Sequence, residues 1–394
     1  MAGQEIIPLF RPDFRDAEIE AVAEVMRSGW IGLGPKVEEF EKKFAEYVGA
    51  RYAVAVNSCT AALHLTLLAY GIGPGDEVLV PAISFVSTAH AVEYVGATPV
   101  FVDVEADTLC MDPDDIPRKI SEDTKAVIPM HYGGHACDMY RVAEIACEIK
   151  RKDKHRKLYI FDDAAHACGA TGYDFSAEPG EWDKIGGMCS VNATCFSFHA
   201  VKNLATADGG MITTSDKGLA AKLRRLRWCG IDKDTWQRCD EPGYGWHYEV
   251  TDLGYKYHMN DLTAAIGLVQ LERLDSMNAR RREIAGIYSE AFKGIDWLTT
   301  PIEKDYAKSS CHNYSLRVTG GVDRNDFISH MLSKGISAGV HYMPIYMHPY
   351  YQKYSADCPV ADEVWQRIVL LPLFPSMTPK QINRVISALK EYRC

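Results

Sequence analysis

The stretch "YAVAVNSCTAALHLTLLAYGIGPGDEVLVP" (residues 52–81) decides the fold of this chain. It opens with a short β-branched run, 52–56, which predicts a strand, and the residues 60–70 that follow have helical spacing. A second strand-like run, 77–81, comes next. Strands separated by helices of this length imply right-handed crossovers, so the stretch predicts a largely parallel sheet.

The same alternation continues outward as far as about residue 215. Strand-like runs at 98–104, 125–131 and 157–164 alternate with helical patterns, of which 138–152 is amphipathic. Residues 231–250 interrupt the alternation with proline, glycine and many aromatic residues, and we predict a long irregular loop there. The first part of the chain is therefore predicted to be α/β.

The remainder of the chain has a different pattern, with a long helical stretch first. The predicted elements are a helix over 260–292, a strand in 314–320, a helix over 323–335 that ends at Gly335, and a closing helix over 378–393. We therefore predict a large α/β domain over residues 1–255. A smaller C-terminal α+β domain is predicted over 256–394, with the long helix as its connector.

Composition and charge exclude several classes of function. Of the 394 residues, 47% are hydrophobic and 24% are charged, which is ordinary for a globular protein. The formal net charge of −10 leaves no broad basic field and argues against a nucleic-acid partner, although a local pocket can still bind a small anion. The twelve cysteines include no C-x-x-C pair, so we expect a reduced, cytoplasmic protein. We find neither an apolar signal segment nor a run long enough to span a membrane, so no membrane association is expected.

Polar residues follow several predicted strands, at the edge of the sheet where open parallel sheets bind ligands. Ser58 and Thr60 lie where a helix begins, a place that favours a phosphate but that also suits a simple helix cap. Asp163 ends an apolar run, where a carboxylate is costly unless it pairs with a cation or caps a helix. His166 follows three residues later and either faces the same space or packs as an ordinary polar residue.

Two further strand ends add a ring and a lysine to this edge. Phe85 follows the run 77–81 and is either a core residue or a ring near the same edge. Ser197 ends a strand, Lys202 lies five residues later, and Gly209-Gly210 permit close approach of the backbone. Lys202 stands apart from other charges, and a partly desolvated amine is easier to deprotonate and to use as a nucleophile. A phosphate-binding helix start, a buried carboxylate, a flat ring and an isolated lysine match the needs of pyridoxal phosphate.

Ordered blocks throughout the chain carry a family resemblance. They include "SGWIGLGPKVEEFEKKFAEYVGARYAVAVNSCTAALHL", "GIGPGDEVLVPAISFVSTAHAV", "FDDAAHACGA", "FSFHAVKN", "DGGM" and "GYKYHMNDLTAAIGLVQL". With these blocks the sequence resembles the DegT/StrS-type sugar aminotransferases, fold type I pyridoxal-phosphate enzymes. The resemblance implies a large domain with a mostly parallel central sheet, a smaller C-terminal α+β domain, and a homodimer with shared active sites.

The resemblance also implies a role for each matching residue. Lys202 is the implied Schiff-base lysine, Asp163 the implied partner of the pyridine nitrogen, and His166 takes the place, often glutamine, that contacts the ring hydroxyl. Phe85 is the implied stacking ring. The implied phosphate-binding positions are Cys59, Thr60 and Ser197.

Two positions depart from the family pattern. In the family a residue of the "GYKYHMND" region reaches the phosphate of the neighbouring subunit, and asparagine is common at the position of Lys256 or of His258. Because this chain has asparagine at neither, we name His258 and Asn260 for that role, and expect the loop 231–250 to contribute to the partner's site. Tyr346 stands where a histidine is frequent, which bears on recognition of the sugar.

The predicted function is transfer of an amino group from L-glutamate to a nucleotide-linked keto sugar, first of all a 4-keto-6-deoxyhexose, in amino sugar biosynthesis. In this ping-pong scheme Lys202 moves a proton from the donor α-carbon to the cofactor, which leaves pyridoxamine phosphate, and the second half-reaction runs in reverse. A 3-keto sugar and a cyclitol without a nucleotide are alternative substrates. Family members that dehydrate a sugar have histidine at the lysine position, so Lys202 argues against a dehydratase. A regulator without turnover is the remaining alternative, against which the intact Lys202, Asp163 and Ser197 argue.

Two other features each have more than one interpretation. The arginines of "KLRRLRWCG" either serve a diphosphate or form a solvated helix face; they are Arg224, Arg225 and Arg227. His131 and His135 have the spacing of a metal-binding pair on a helix. The segment between them contains two glycines and no third ligand is evident, so no metal is predicted.

Overall fold

A computed structural model describes residues 6–174, 182–233, 235–239 and 246–392. The strands in chain order are β1 (Tyr52–Val56), β2 (Glu77–Pro81), β3 (Thr98–Val102), β4 (Thr124–Val127), β5 (Tyr159–Asp163), β6 (Thr171–Gly172), β7 (Asp183–Lys184), β8 (Ala193–Ser197), β9 (Gly210–Thr214), β10 (Leu298–Thr299), β11 (Ala307–Lys308), β12 (Tyr314–Val318) and β13 (Ile368–Leu371). The helices are α1 (Asp16–Ser28), α2 (Pro35–Val48), α3 (Cys59–Ala69), α4 (Ser87–Tyr94), α5 (Ile116–Lys119), α6 (Met139–Lys152), α7 (Lys217–Leu226), α8 (Thr235–Cys239), α9 (Asp261–Phe292), α10 (Arg324–Ser333), α11 (Pro359–Val364) and α12 (Pro379–Lys390).

The large sheet has the strand order β1-β9-β8-β5-β4-β2-β3. Strands β8, β5, β4, β2 and β3 are paired in parallel, whereas β9 is antiparallel to both of its neighbours. The link from β8 to β9, residues 198–209, contains no helix that crosses the sheet, and the chain returns antiparallel. The predicted mostly parallel α/β sheet is confirmed.

Helix α3, which follows β1 in the stretch that decides the fold, lies inside the protein. It packs against α4, α7, β8 and β9, and most of its side chains are buried, including Leu63, Leu65 and Leu67. A helix that is apolar on all sides needs neighbours on all sides. Its first turn is thereby fixed at the end of the sheet where the candidate residues lie.

A second hydrophobic cluster forms around the antiparallel sheet β10-β12-β13, α10 and α12. The 32-residue helix α9 joins the two clusters, with Leu268 in the first and Tyr288 in the second. Two segments cross the proposed domain boundary at residue 255. Ile7 belongs to the second cluster and Ile345 to the first.

The predicted loop 231–250 is described only in part, because residues 234 and 240–245 lie outside the described residues. Its ends are joined by a bridge between Ile231 and Val250, and it contains the short helix α8. Across the described ranges, no helix has both the length and the apolar composition that a membrane span requires.

Candidate active site

A cavity of about 340 Å³ lies outside the carboxyl ends of the strands of the large sheet. It brings together seven of the residues predicted from sequence: Cys59, Thr60, Phe85, Asp163, His166, Ser197 and Lys202. They come from the segments that follow β1, β2, β5 and β8, which lie far apart along the chain. The cavity is therefore at the place where open parallel sheets bind their ligands.

One end of this cavity is the first turn of α3. The Ser58 hydroxyl caps the helix by accepting a hydrogen bond from the Ala61 N–H at 3.1 Å. The N–H groups of Cys59 and Thr60 have no acceptor among the residues that the structure describes, as expected for a first turn. A Cβ on Gly210 would lie 2.8 Å from the Cys59 nitrogen, so only glycine allows this approach. The helix start thus offers free N–H groups and a positive dipole end to an anion.

The Cys59 thiol itself points away from that end. It donates to the Cys195 carbonyl at 3.5 Å and lies 3.9 Å from Asp163 Oδ1, and burial raises its pKa well above the usual value. Any contact of Cys59 with a phosphate would come from its backbone N–H. Ser197 pairs in the sheet with Gly210, which approaches the α3 start, and its hydroxyl accepts a hydrogen bond from the His199 N–H at 3.4 Å.

Asp163 is almost completely buried at the end of β5. One of its carboxylate oxygens accepts from the Thr88 hydroxyl at 2.7 Å, and the other from the Ala165 N–H at 3.2 Å. Burial raises the pKa of Asp163, against the lowering effect of these hydrogen bonds and of the Lys202 charge. The carboxylate has neutral donors but no cation in contact among the described residues, so it is poised to pair with one.

The neighbouring Asp162 points to the opposite face of the sheet, as successive strand residues do. Its carboxylate accepts from the Thr194 hydroxyl at 3.2 Å and lies 3.6 Å from His131 Nε2. The other nitrogen of His131 accepts from the Cys137 N–H at 3.0 Å, which leaves the proton on Nε2 facing Asp162. His131 is thus held in a polar contact on the side of β5 away from the cavity. The described residues contain no group of three side chains that could hold a metal ion.

Lys202 is partly buried at the cavity wall. No carboxylate of the described residues lies within ion-pair distance of its ammonium group. Burial lowers the pKa of Lys202 to about 8, against the raising effect of the charge on Asp163. At neutral pH a much larger share of this amine is uncharged than for a lysine with the usual value of 10.5.

His166 faces the cavity as a neutral hydrogen-bond donor. Its Nδ1 accepts from the Gly133 N–H at 3.3 Å, so the proton is on Nε2, which lies 3.2 Å from the Tyr342 hydroxyl. Burial and the charge of Lys202 hold the pKa of His166 well below its usual value. At the rim the ring of Phe85 is 54% exposed and 6.0 Å from the ring of Tyr342, where one face is free to stack.

The cavity has polar aromatic residues that sequence reasoning did not single out as site residues: Tyr342, His341 and His312. His312 Nδ1 lies 3.0 Å from Asn203 Oδ1, whose own amide nitrogen donates to Asn278 Oδ1 at 2.7 Å. This chain of bonds places the proton on Nδ1 and leaves Nε2 as a buried acceptor without a partner among the described residues. These three residues come from the C-terminal part of the chain, so no local pattern near Lys202 could have indicated them.

Two predicted residues do not line this cavity. His258 forms a backbone bridge with Val56, and its ring lies edge-on to Trp228 at 4.4 Å. Burial and nearby cations lower the pKa of His258 to about 4. Asn260 caps α9 by accepting from the Thr263 N–H at 3.0 Å. A role of either residue in the site of a partner subunit stays a prediction.

The three arginines near α7 are each paired with a carboxylate. Arg227 is buried and contacts Glu41, to which Arg224 also donates at 3.0 Å, while Arg225 pairs with Asp252 at 2.7 Å. The expectation of a solvated helix face is wrong for Arg227, because Glu41, distant in sequence, meets its guanidinium group inside the protein. Arg224 and Arg225 are partly exposed, and a role of these arginines toward a diphosphate stays a prediction.

A sequence profile of the DegT/DnrJ/EryC1/StrS aminotransferase family matches residues 12–390. The chain belongs to this family. It is 44% identical to the spore coat polysaccharide biosynthesis protein SpsC of Bacillus subtilis, over 98% of this chain and 96% of that protein. It is also similar to the putative sugar aminotransferase Spr1654 from Streptococcus pneumoniae in its PMP form, with a TM-score of 0.89 and 33% identity over 98% of both chains. Helicobacter pylori PseC, an aminotransferase involved in the biosynthesis of pseudoaminic acid, has a TM-score of 0.87 and 27% identity over 98% of this chain and 99% of that chain.

This DegT/DnrJ/EryC1/StrS family member is a pyridoxal-phosphate-dependent sugar aminotransferase of fold type I. The cavity fits the cofactor in three respects. The α3 start offers N–H groups for the phosphate, Asp163 offers a buried carboxylate for the pyridine nitrogen, and Lys202 offers an amine with a lowered pKa.

Proposed function

We propose that this aminotransferase transfers the amino group of L-glutamate to a nucleotide-linked keto sugar, first of all a 4-keto-6-deoxyhexose. The observation that carries the proposal is the wall of neutral polar groups beside Lys202, formed by His166, His312, His341 and Tyr342. Burial lowers the pKa of each of these histidines, so the wall carries little charge at neutral pH. Such a wall suits a hydroxylated ring, whose hydroxyls both donate and accept hydrogen bonds.

The chain's own residues divide the work of the reaction. Pyridoxal phosphate, when bound, supplies an electron sink for the carbanion that forms at the carbon bearing nitrogen. Lys202, as an uncharged amine, takes the proton from the α-carbon of the donor and returns one to the acceptor carbon. Asp163 holds the proton of the pyridine nitrogen in place, and the hydroxyl of Thr88 fixes the orientation of that carboxylate.

The alternatives are a 3-keto sugar, a cyclitol, a dehydratase and a regulator. Phe85 lines the cavity and is exposed at its rim, so a substrate can extend from the cavity into solvent, which favours a linked substrate over a cyclitol. Lys202 argues against a dehydratase, and its lowered pKa argues against a protein without turnover. We propose a cytoplasmic location, in keeping with the free thiols among the described cysteines.

A screen of purified holoenzyme tests the substrate class. Nucleotide-linked 3-keto and 4-keto sugars and a free keto cyclitol would each be incubated with L-glutamate, with 2-oxoglutarate measured enzymatically and the product examined by NMR. We expect an amino sugar and one 2-oxoglutarate for each 4-keto sugar consumed, and neither with Lys202→Arg. Consumption of the sugar without a new amine would indicate a dehydratase, and turnover of the cyclitol alone would contradict the nucleotide-linked substrate.

We also propose a homodimer with shared active sites, in which His258, Asn260 and the loop 231–250 contribute to the partner's site. Support comes from exposed apolar side chains in this loop and between it and His258, with Trp246 70% and Leu253 88% exposed. Two inactive variants, Lys202→Ala and His258→Ala/Asn260→Ala, would be mixed and allowed to exchange subunits. We expect activity to return, up to one working site of two, because one hybrid site is free of substitutions. No recovery, with exchange confirmed by mass, would contradict the shared site.

A further inference from the structure

A row of buried polar residues lies on one face of β12, on the side away from the second hydrophobic cluster. Tyr314, Leu316 and Val318 point into that cluster, as alternate residues of a strand should. The alternate set begins just before the strand and is polar: Asn313, Ser315 and Arg317, each no more than 9% exposed. These three residues line a second cavity of about 280 Å³, which is separate from the cavity around Lys202.

The hydrogen bonds of this row leave two groups unmatched. The Ser315 hydroxyl donates to the Tyr132 hydroxyl at 3.3 Å, and the Arg317 guanidinium donates to the Ala106 carbonyl. No carboxylate lies within ion-pair distance of Arg317 in the part of the chain that the structure describes. Both amide atoms of Asn313 are buried without a partner among the described residues. A buried cation without a counter-ion and a buried amide without hydrogen bonds are each costly, which indicates that something else satisfies them.

The other charges around the cavity are already paired. Asp107 accepts from the Lys304 ammonium at 2.7 Å, and Glu303 from the Arg282 guanidinium at 3.0 Å. Of these groups, only Arg317 is left without a counter-ion, and it lies between this cavity and a neighbouring one of about 270 Å³. Successive residues of this row are about 7 Å apart along the strand, so a molecule that contacts more than one of them needs polar groups along its length.

We infer that this cavity binds a small hydroxylated carboxylate, with its carboxylate on Arg317 and its hydroxyls along Ser315 and Asn313. A guanidinium fork binds a carboxylate through paired N–H groups, and an amide can donate to and accept from hydroxyls. This site is additional to the proposed function and does not depend on it.

The two cavities share a wall, which gives the second site a route to influence the first. The Gly133 carbonyl accepts from the Asn313 N–H at 3.1 Å, while the Gly133 N–H donates to His166 Nδ1 at 3.3 Å. The Tyr132 hydroxyl also contacts the His341 carbonyl. A ligand that orders Asn313 therefore acts on the segment that orients His166, and a change in the KM for the keto sugar is the expected consequence.

Calorimetry on the holoenzyme with D-gluconate tests the site. Gluconate has neither an amino group nor an oxo group, so it cannot enter amino transfer. D-Glucitol keeps the hydroxyls without the carboxylate, and hexanoate keeps the carboxylate without the hydroxyls. We expect gluconate to bind at least tenfold more tightly than either, and Arg317→Gln to weaken it at least tenfold. Arg280→Gln, which changes an arginine that pairs with Glu283 and donates to the Met377 carbonyl outside this cavity, is the matched control and should bind gluconate as the wild type does.

A second variant keeps the inference testable if Arg317→Gln does not fold. Asn313→Leu keeps the side-chain volume and leaves Arg317 available to the carboxylate, but it removes the amide. This variant should also weaken the binding of gluconate. Lys202→Ala should bind gluconate as the wild type does, since the catalytic cavity is not the site. No heat from gluconate at about 10 mM, where even a 1 mM site would be nearly filled, would overturn the inference. Undiminished binding in the folded Arg317 and Asn313 variants, or loss of binding in Lys202→Ala, would overturn it as well.

Discussion

Two of the places where the protein buries charge, around Glu41 and around Lys202, treat it in opposite ways. Glu41 is buried in contact with Arg227, accepts from Arg224 at 3.0 Å, and also accepts from the Ala55 N–H at 2.9 Å. Burial alone would raise its pKa, but the two guanidinium charges hold it below the usual value. In this cluster every charge has a partner, and the carboxylate is driven to its charged form.

Around Lys202 the shifts run the other way. Burial raises the pKa of Asp163 and lowers that of Lys202, so both groups are driven toward their neutral forms. Burial of charge therefore has two different consequences in this protein. A buried charge that is paired with an opposite charge stabilises the fold. A buried group without a counter-ion is instead available to a ligand that supplies the missing charge.

The largest expected effect is that of a substitution at Lys202. Lys202→Arg keeps a positive charge but has no amine that deprotonates at neutral pH, so activity should fall at least about 10⁴-fold, the upper range for one proton-transfer group. The variant should still bind the cofactor, without covalent attachment. Borohydride reduction and peptide mass analysis should find the phosphopyridoxyl mass on the wild-type peptide that contains Lys202.

The matched control for this variant is Lys222→Arg, since the Lys222 ammonium donates to the Ala69 carbonyl away from the cavity. It should retain activity and labelling. Label on a peptide with Lys217 or Lys222 in the wild type would contradict the position of the site.

A second prediction compares the adjacent carboxylates of β5. Asp163→Asn should keep the cofactor but slow both half-reactions about 10²- to 10³-fold, because a neutral amide stabilises the pyridinium charge less well. Asp162→Asn, on the opposite face, should lose stability but keep its turnover per folded molecule. Single-turnover rates and denaturation midpoints measure the two effects. Equal turnover in the two variants would remove Asp163 from its role.

A third prediction follows from the pKa of Lys202. Attachment of pyridoxal phosphate requires the uncharged amine, and the lowered pKa means that this form increases with pH up to about 8. The attachment rate of the apoenzyme should therefore rise about tenfold per unit between pH 6 and 7 and level off above about pH 8. Stopped-flow absorbance measures the rate, with free lysine in solution as the control. A rise that continued toward pH 10 would contradict the lowered pKa of Lys202.

The sequence predicted the parts of this comparison that depend on local pattern. Strand, loop and helix alternate with clear periodicity, and Asp163 and Lys202 each follow a strand end, so their meeting at one edge of the sheet follows from the topology. The choice of Asp163 over Asp162 required the family resemblance, because "FDDA" alone does not show which carboxylate faces the cavity.

The parts that sequence reasoning missed depend on distant contacts. His312 reaches the cavity from a segment more than a hundred residues after Lys202, and its tautomer depends on Asn203 and Asn278. Arg227 looked like part of a solvated helix face because Glu41, which contacts it, is 186 residues away. Local periodicity carries no information on such pairings.

On the structural side, Glu41→Gln should destabilise the protein by about 3 kcal/mol or more, because Arg227 would then be a buried charge without its partner. Activity per folded molecule should be unchanged. Glu39→Gln, which breaks the exposed contacts with Lys36 and Lys43, is the matched control and should change stability by less than about 1 kcal/mol. Urea denaturation measures both. A lower turnover for folded Glu41→Gln would show that the two clusters are coupled.

The smallest expected effect concerns Tyr346, which replaces a histidine that is frequent in the family. Its hydroxyl donates to Asp362 at 2.7 Å, its ring packs edge-on to Phe101, and it does not line the cavity around Lys202. Tyr346→Phe removes only this partly exposed hydrogen bond, so it should cost about 1 kcal/mol of stability. The KM for the keto sugar should not change, because the Tyr346 hydroxyl contacts Asp362 and not the cavity in which the sugar is proposed to bind. Tyr342→Phe, which removes a hydroxyl that lies 3.2 Å from His166 Nε2, is the contrasting variant and should raise that KM. A KM that rose in Tyr346→Phe and stayed constant in Tyr342→Phe would show that the sugar binds near Tyr346 and not near Tyr342.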